Sequence, residues 1–461
     1  MKHTDLIIIG GGPGGYEAAA YAAAKGMDVT LIEASRLGGT CLNVGCIPTK
    51  CLCHSAEIAD MLKAGNPSAA GFGQLSSNID FSKIMERKNA VVETLRNGLK
   101  ESLRGVNIVM GKASFVRGKD KTVSVALNVG ENGENTVSEY RADNIIVATG
   151  SVPKRLPIPG MDCEGVLTST EMLAIDHIPA SLCVMGGGVV GMEFASIFSS
   201  FGTKVSVVEF LPEILPNFDK NIVKRLRQSL KGKGIDFHLK SAVTGIEPKD
   251  GGLTVSYKSD GGKTGSLDAE VVLSAVGRAA NTASLNLDDA GIEYTRAGIT
   301  TGPNYETNVP GIYAVGDING RMQLAHVAKY QGIHVVNYLL GKDDSVDFGI
   351  VPSAVFTSPT VAMVGQTEEQ LKKDGVAYKA YKSFYRANGK ALAEGQSDGM
   401  LKVLSDASGK ILGVHILGAN AADMIHEAAT LMNFSATVDD VRRIIHAHPT
   451  LSELFSMAVG S

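Results

Sequence analysis

The sequence predicts an α/β chain: two doubly wound parallel-sheet halves with β-meander inserts, followed by a C-terminal α+β segment. Three observations carry this. A strand, glycine turn, helix and strand occur in that order twice, alternating-residue stretches follow each copy, and the pattern changes character after about residue 349.

Residues 5–33 read DLIIIGGGPGGYEAAAYAAAKGMDVTLIE and residues 182–209 read LCVMGGGVVGMEFASIFSSFGTKVSVVE. Each contains Gly-x-Gly-x-x-Gly (Gly10, Gly12 and Gly15; Gly186, Gly188 and Gly191) and closes on an acid, Glu33 or Glu209. The first glycines are 176 positions apart, and so are the two glutamates. A lone motif of this kind marks only a turn, but one that follows a strand, opens a helix and meets an acid reads as a Rossmann-like dinucleotide fold. The first glycine permits the tight turn and the second lets backbone approach a pyrophosphate. The third lets helix and strand pack closely, and the helix N-terminus adds partial positive charge. The closing acid accepts hydrogen bonds from a ribose diol. A 2′-phosphate would meet a like charge at Glu209, and no Arg follows within a dozen residues, so the second nucleotide is expected to be NAD and not NADP.

Beyond each repeat, period-two stretches at 122–126, 144–148, 253–257 and 271–276, with turns at 131–133 and 260–262, suggest a β-meander inserted in each parallel sheet. Residues 41–104 lengthen the first half with a cysteine segment and a helical stretch at 84–103. After about residue 349, strands at 401–404 and 411–416 flank a turn at 406–409, and helical patterns follow at 420–433 and 437–446. The expected domains are 1–148, 149–278, 279–348 and 349–461.

Composition narrows the classes. The 461 residues suffice for about three domains, and 44% hydrophobic with 20% charged residues is an ordinary globular mix. A net charge of −4 gives no electrostatic reason to bind nucleic acid. No apolar run approaches the roughly 20 residues of a membrane span. The first strand begins within a few residues of Met1, leaving no room for a signal peptide, so the cytoplasm, or an organelle matrix if a presequence has been removed, is the expected location. Six cysteines are too few for a disulfide framework, yet Cys41, Cys46, Cys51 and Cys53 fall within 13 positions.

Cys41 and Cys46 are five apart, roughly 8 to 9 Å on a straight helix, whereas disulfides rarely bridge more than about 7 Å. If this pair closes, the segment is distorted, and Gly45 and Pro48 supply the irregularity. A strained small-loop disulfide reduces readily, as a turnover couple requires. Two unpaired core thiols are the competing reading. A zinc site would have only Cys51, Cys53 and His54 nearby at poor spacing, so no metal is expected. Cys51 and Cys53 read as helix packing, and Cys163 and Cys183 as buried and inert. Nicotinamide moves two electrons at once and thiols react by nucleophilic attack, so two nucleotide sites beside a dithiol call for a flavin between them.

The run Gly38 to Lys50 (GGTCLNVGCIPTK) resembles the active-site signature of the class I pyridine nucleotide-disulfide oxidoreductases, and its wording is most similar to their dihydrolipoamide dehydrogenase branch. Ala148-Thr149-Gly150, the run from Thr307 to Asp317, Leu324-Ala325-His326, Val276-Gly277-Arg278 and the run from His446 to Glu453 extend the resemblance over essentially the whole chain. It implies FAD in the first fold, held by Gly10, Gly12, Gly15, Glu33, Gly39, Thr40, Lys50, Ala113, Thr149, Gly150, Asp317, Leu324, Ala325 and His326. It implies NAD in the second, held by Gly186, Gly188, Val189, Val190, Gly191, Glu193, Glu209 and Gly277, with Lys50 paired to Glu193. Cys41 and Cys46 would be the redox disulfide and His448 the acid/base oriented by Glu453; in this family that pair comes from the partner subunit, so residues 349–461 would be the interface of a homodimer. His446 reads as structural. The implied reaction oxidises dihydrolipoamide with NAD⁺, and the implied partners are lipoyl domains of 2-oxo acid dehydrogenase complexes or the glycine cleavage H protein. An NADH-linked reductase of another disulfide and a non-catalytic nucleotide-binding subunit are the alternatives. Lys329-Tyr330-Gln331 departs from the acidic residues common in relatives.

Overall fold

The computed structural model describes residues 2–63, 78–127 and 137–460, so the turn expected at 131–133 lies outside the described residues. The chain divides into two compact units. Residues 1–49, 86–154 and 278–346 form the first, and residues 50–85, 155–277 and 347–461 the second.

In the first unit, β1 (Lys2–Ile9) buries Leu6, Ile7, Ile8 and Ile9 in succession, as a parallel strand covered on both faces does. Then come α1 (Pro13–Ala24), with proline in its first turn where no N–H is needed, and β2 (Val29–Glu33), parallel to β1. The helices α2 (Gly39–Val44), α3 (Cys46–Met61) and α4 (Phe81–Ser102) follow, with residues 50–61 of α3 and 81–85 of α4 belonging to the second unit. After them come β3 (Asn107–Phe115), β4 (Thr122–Leu127), β5 (Val137–Val147) and β6 (Ser151–Pro153).

The first meander is inserted in the parallel sheet by direct fusion, sharing its strands. β3 runs parallel to β2 from Asn107 to Met110, then antiparallel to β4 from Gly111 to Phe115. The 11 residues of β5 pair with β4 on one side and with β1 on the other. Strands this long serve both arrangements, and the sheet closes on itself through β1 and β5.

In the second unit the repeat recurs as β7 (Val166–Leu167), α5 (Ser169–Met172), β8 (Ser181–Met185), α6 (Val189–Ser200), β9 (Lys204–Val208), α7 (Lys220–Gly232) and β10 (Asp236–His238). Here the meander of β11 (Ser241–Lys249), β12 (Gly252–Ser259) and β13 (Thr264–Ala269) is a sheet of its own. With β14 (Val271–Ser274) the parallel sheet has the order β10-β9-β8-β14-β7. Phe194 and Phe198 of α6 fill the core beneath it.

The chain then returns to the first unit, where β15 (Arg278–Ala280) pairs with β6 and β16 (Ile312–Ala314) adds parallel to β5. α8 (Ala325–Leu339) lies so close to α1 that a Cβ on Gly332 would stand 2.5 Å from the Gly14 carbonyl oxygen. Lys329 reaches Glu17 of α1 at 3.3 Å. Buried Gln331 accepts the Gly316 N–H at 2.7 Å, so the departure at 329–331 has its own partners.

The last segment belongs to the second unit and comprises β17 (Ser353–Val355), β18 (Val361–Gly365), α9 (Glu368–Lys373), β19 (Lys379–Phe384), α10 (Gly389–Ala393), β20 (Met400–Ser405), β21 (Ile411–Leu417), α11 (Ala421–Asn433), α12 (Val438–Arg443) and α13 (Glu453–Val459). Its strands form an antiparallel sheet ordered β17-β18-β21-β20-β19. The helix expected at 437–446 stops at Arg443. Its last buried apolar residue is Val441, whereas Ile445 is 97% exposed, so continuing the helix would bury nothing more. Among the described residues no helix is long and apolar enough to cross a membrane.

Candidate active site

The first glycine turn follows β1. Gly10 has φ +108°, and a Cβ there would lie 2.4 Å from the Ala148 carbonyl oxygen, while one on Gly15 would lie 1.8 Å from the Gly10 oxygen. Both glycines are demanded by the protein's own packing. Gly12 is not, since its nearest neighbour would be Gly39 Cα at 3.8 Å. A side chain at Gly12 would instead occupy the approach to the N-terminus of α1, so the residues present fit a dinucleotide pyrophosphate there.

Glu33 closes the turn: its carboxylate accepts the N–H groups of Gly11 and Ser35, each at 2.7 Å. Thr149 and Gly150 follow β5, with the Thr149 hydroxyl donating to the Asn281 carbonyl at 3.0 Å. Asp317 follows β16 and accepts the Ser151 hydroxyl, whose oxygen and carbonyl in turn hold Arg278 at 2.7 and 2.6 Å. Burial lowers the Arg278 pKa, opposed by the charges of Asp317 and Cys46. These residues gather at the carboxyl ends of parallel strands, where α/β sheets bind ligands. Leu324 caps α8, and Ala325 and exposed His326 form its first turn. Ala113 is buried in β3 against the sheet's core.

The cysteine segment is laid against that turn. Gly38 donates to the Gly11 carbonyl at 2.7 Å, and a Cβ on Gly39 would come 2.6 Å from Gly12 Cα. Thr40 and Cys41 lie in α2, the helix breaks at Gly45 (φ −148°, ψ −113°), and Cys46 opens α3 with Pro48 in its first turn. A Cβ on Gly45 would meet the Thr40 carbonyl oxygen at 2.9 Å. The distortion that a pair five residues apart needs is therefore present between the two cysteines. Both are partly buried. Tyr16 of α1 was missed by sequence reasoning: its phenol is pushed up to about 12, by burial first and then by Glu17, Cys41 and Cys46. Cys51 and Cys53 are buried in α3. Cys183 is buried too, its thiol pushed up to about 12, whereas Cys163, expected to be buried, is only partly so because it sits in the turn before β7.

The second turn repeats the first. Gly186 has φ +103° and its Cβ would be 2.5 Å from the Ala275 carbonyl oxygen; one on Gly191 would be 2.0 Å from the Gly186 oxygen; one on Gly188 would meet no protein atom within 4 Å. Glu209 accepts the N–H groups of Gly187 and, at 2.6 Å, Leu211. The turn thus fits a second dinucleotide. Val189 and Val190 begin α6, with Val189 exposed, and Gly277 (φ +102°) follows β14. Glu193, 4% exposed, receives the Lys50 ammonium at 2.9 and 3.0 Å and the Phe356 N–H at 3.0 Å.

His448 lies in the loop between α12 and α13, its side chain 79% exposed, with Nδ1 2.9 Å from Glu453 Oε1. The other Glu453 oxygen accepts the Thr450 N–H at 2.8 Å. That bond and His448 together hold the Glu453 carboxyl below the usual range. Two residues earlier, His446, partly buried with its side chain 6% exposed, meets Glu427 at 2.8 Å. Among the described residues no group of three or more His, Cys, Asp or Glu is arranged to hold a metal.

Comparison with known proteins agrees with this architecture. The family signature described as pyridine nucleotide-disulphide oxidoreductase matches residues 4–332, and its dimerisation domain matches residues 351–459. The chain is 42% identical to a mitochondrial dihydrolipoyl dehydrogenase of Pisum sativum, over 99% of this chain and 90% of that protein. It is 38% identical to dihydrolipoyl dehydrogenase of Bacillus subtilis, over 99% and 97%. Among solved structures, the HOCl-induced flavoprotein disulfide reductase RclA of Escherichia coli, in its Cu(II) complex, superposes with a TM-score of 0.87 at 30% identity over 100% of this chain and 99% of that one. Proteins of this family use FAD and NAD. With both signatures and the full-length relatives in agreement, the chain is a flavoprotein enzyme of the pyridine nucleotide-disulphide oxidoreductase family.

Proposed function

We propose that this chain is a dihydrolipoyl dehydrogenase, oxidising dihydrolipoamide on a carrier domain to lipoamide with NAD⁺ as acceptor. The observation that supports it most is the helix break at Gly45 between Cys41 and Cys46, beside the first glycine turn. The first turn, with Glu33 and Asp317, would hold FAD; the second, with Glu209, would hold NAD. FAD, when bound, passes two electrons between a dithiol and NAD⁺.

The chain's own residues then have these roles. His448, with Nδ1 directed at Glu453, takes a proton through its other ring nitrogen from one thiol of a substrate bound at the partner subunit's disulfide. The substrate thiolate attacks Cys41 of a Cys41–Cys46 disulfide, breaking the S–S bond and forming a mixed disulfide. The second substrate sulfur, once deprotonated, displaces Cys41, so the substrate leaves oxidised and both cysteines are reduced. Lys50, fixed by Glu193 one helical turn after Cys46, keeps a positive charge on that part of α3. We further propose that the chain works as a homodimer through residues 349–461, with lipoyl domains of 2-oxo acid dehydrogenase complexes or the glycine cleavage H protein as partners, in the cytoplasm.

The second reading, NADH-dependent reduction of another disulfide, draws on the likeness to the Escherichia coli disulfide reductase. Assay of the purified yellow protein with dihydrolipoamide and NAD⁺, beside glutathione disulfide with NADPH or NADH, separates the two. Turnover of dihydrolipoamide alone supports the first reading, and its absence overturns it.

A further inference from the structure

Phe356 follows β17 in the last segment, and no motif in the sequence points to it. Its ring lies under the Lys50 ammonium, 4.4 Å from Nζ to the centroid. Its N–H donates to Glu193 at 3.0 Å, to the same oxygen that receives Lys50 at 2.9 Å. Its carbonyl accepts the Cys53 thiol at 3.3 Å. Burial first, then the Glu193 charge, push that thiol well above its ordinary value, so it remains an S–H donor. One residue therefore touches the ammonium, its counter-ion and the helix that carries the ammonium. Lys50 has a carboxylate on one side and an aromatic face on another, which limits the directions its flexible stem can take.

We propose that Phe356 is a positioning residue for Lys50: its ring holds the ammonium while its backbone holds Glu193. The proposal rests on the reading of Lys50 as part of the redox site. A cation–π contact of ordinary strength corresponds to about a 3- to 30-fold bias toward the held position of the ammonium.

The test uses the full-length FAD-loaded protein and compares F356L, which keeps bulk and both backbone bonds but loses the aromatic face, with F356Y, which keeps the face. Acylation of Lys50 by N-hydroxysuccinimide acetate, read by peptide mass spectrometry, is expected to quicken about 3- to 30-fold in F356L and to return to the wild-type rate in F356Y. The kcat for dihydrolipoamide oxidation falls in F356L at unchanged flavin content, and F356L has no further effect when added to K50M. Unchanged Lys50 labelling in F356L, or a rate loss that persists in full on the K50M background, overturns the proposal. The labelling reads Lys50 alone, so it decides the matter even if the wild-type protein fails to oxidise dihydrolipoamide, a failure that would instead remove the proposed function.

Discussion

Glu209 accepts the backbone N–H of Gly187, 22 residues away, and the same carboxylate takes the Leu211 N–H at 2.6 Å. Glu33 does the same with Gly11 and Ser35 in the other unit. Each acid thus shapes the turn that its nucleotide would occupy, while each carboxylate oxygen keeps a second lone pair for a ribose hydroxyl. Substituting Glu209→Ala leaves the buried Gly187 N–H unsatisfied, frees the Leu211 N–H and removes the ribose acceptor, so the KM for NAD⁺ should rise about 10- to 100-fold with flavin retained. Glu33→Ala should have the mirrored effect, with flavin lost on gel filtration. If E209A and E33A weaken the same nucleotide, the two turns do not divide the cofactors as proposed.

The break at Gly45 predicts a defect out of proportion to one methyl group. Gly45→Ala places a Cβ 2.9 Å from the Thr40 carbonyl oxygen and must push α2 away from α3. Overpacking of this kind costs about 1–3 kcal/mol. Because the displaced elements carry Cys41 and Cys46, dihydrolipoamide oxidation should fall more than about tenfold while NADH reduction of ferricyanide, which bypasses the thiols, is spared. Full dithiol activity in G45A would show that the break does not set the sulfur spacing.

Much of this arrangement was legible because its constraints are local. Gly10 and Gly186 are glycine for reasons contained in one strand–turn–helix unit, and the five-residue spacing of Cys41 and Cys46 called, if they pair, for a distortion that Gly45 and Pro48 could supply. What stayed hidden comes from residues brought together across long stretches of chain. Ser151 and Arg278 meet 127 positions apart, and Lys50 and Phe356 lie on segments separated by most of the sequence. The fused first meander was invisible for a related reason, since alternation over residues 137–147 marks a strand but not that its two edges have partners of opposite direction.

His448 and Glu453 make a prediction about pH. The Thr450 N–H, then His448, depress the Glu453 pKa, so the acid remains a carboxylate from about pH 5 upward. His448→Ala should lower kcat at least about 100-fold with flavin still bound. Glu453→Gln keeps shape but removes the charge and should cost about tenfold. With no titration of Glu453 in that range, any pH dependence of the ratio of wild type to E453Q between about pH 5 and 8 should arise through His448 and vanish when the two are compared on the H448A background. A ratio that still changes with pH on that background would mean that Glu453 changes charge during the assay.

A second prediction about pH concerns stability and lies away from the chemistry. His415 of β21 is 1% exposed; its Nε2 meets the Gln366 carbonyl at 3.0 Å, while Nδ1 has no hydrogen-bond partner among the described residues. Beside it, fully buried Lys402 binds Asp219 at 2.6 Å and also Glu368. Burial lowers the His415 pKa to about 4, with Lys402 adding to the effect and Asp219, the Gln366 carbonyl and Glu368 opposing it. A depressed histidine favours the folded state only while it is neutral. Its contribution is complete above the unfolded value near 6.5 and is lost as pH falls from there to about 4, where the folded form also takes up the proton. The span corresponds to about 3 kcal/mol. His415→Gln keeps a donor for Gln366 without a titrating ring, so the first thermal transition should lose less between pH 6.5 and 4 than in the wild type. Equal slopes in the two proteins would place the acid sensitivity in carboxylates such as Glu368, which Lys372, Lys402 and Tyr378 hold down to about 2 against the opposing effect of burial. That loss would begin only below about pH 4.5, so the onset of the transition separates the two origins.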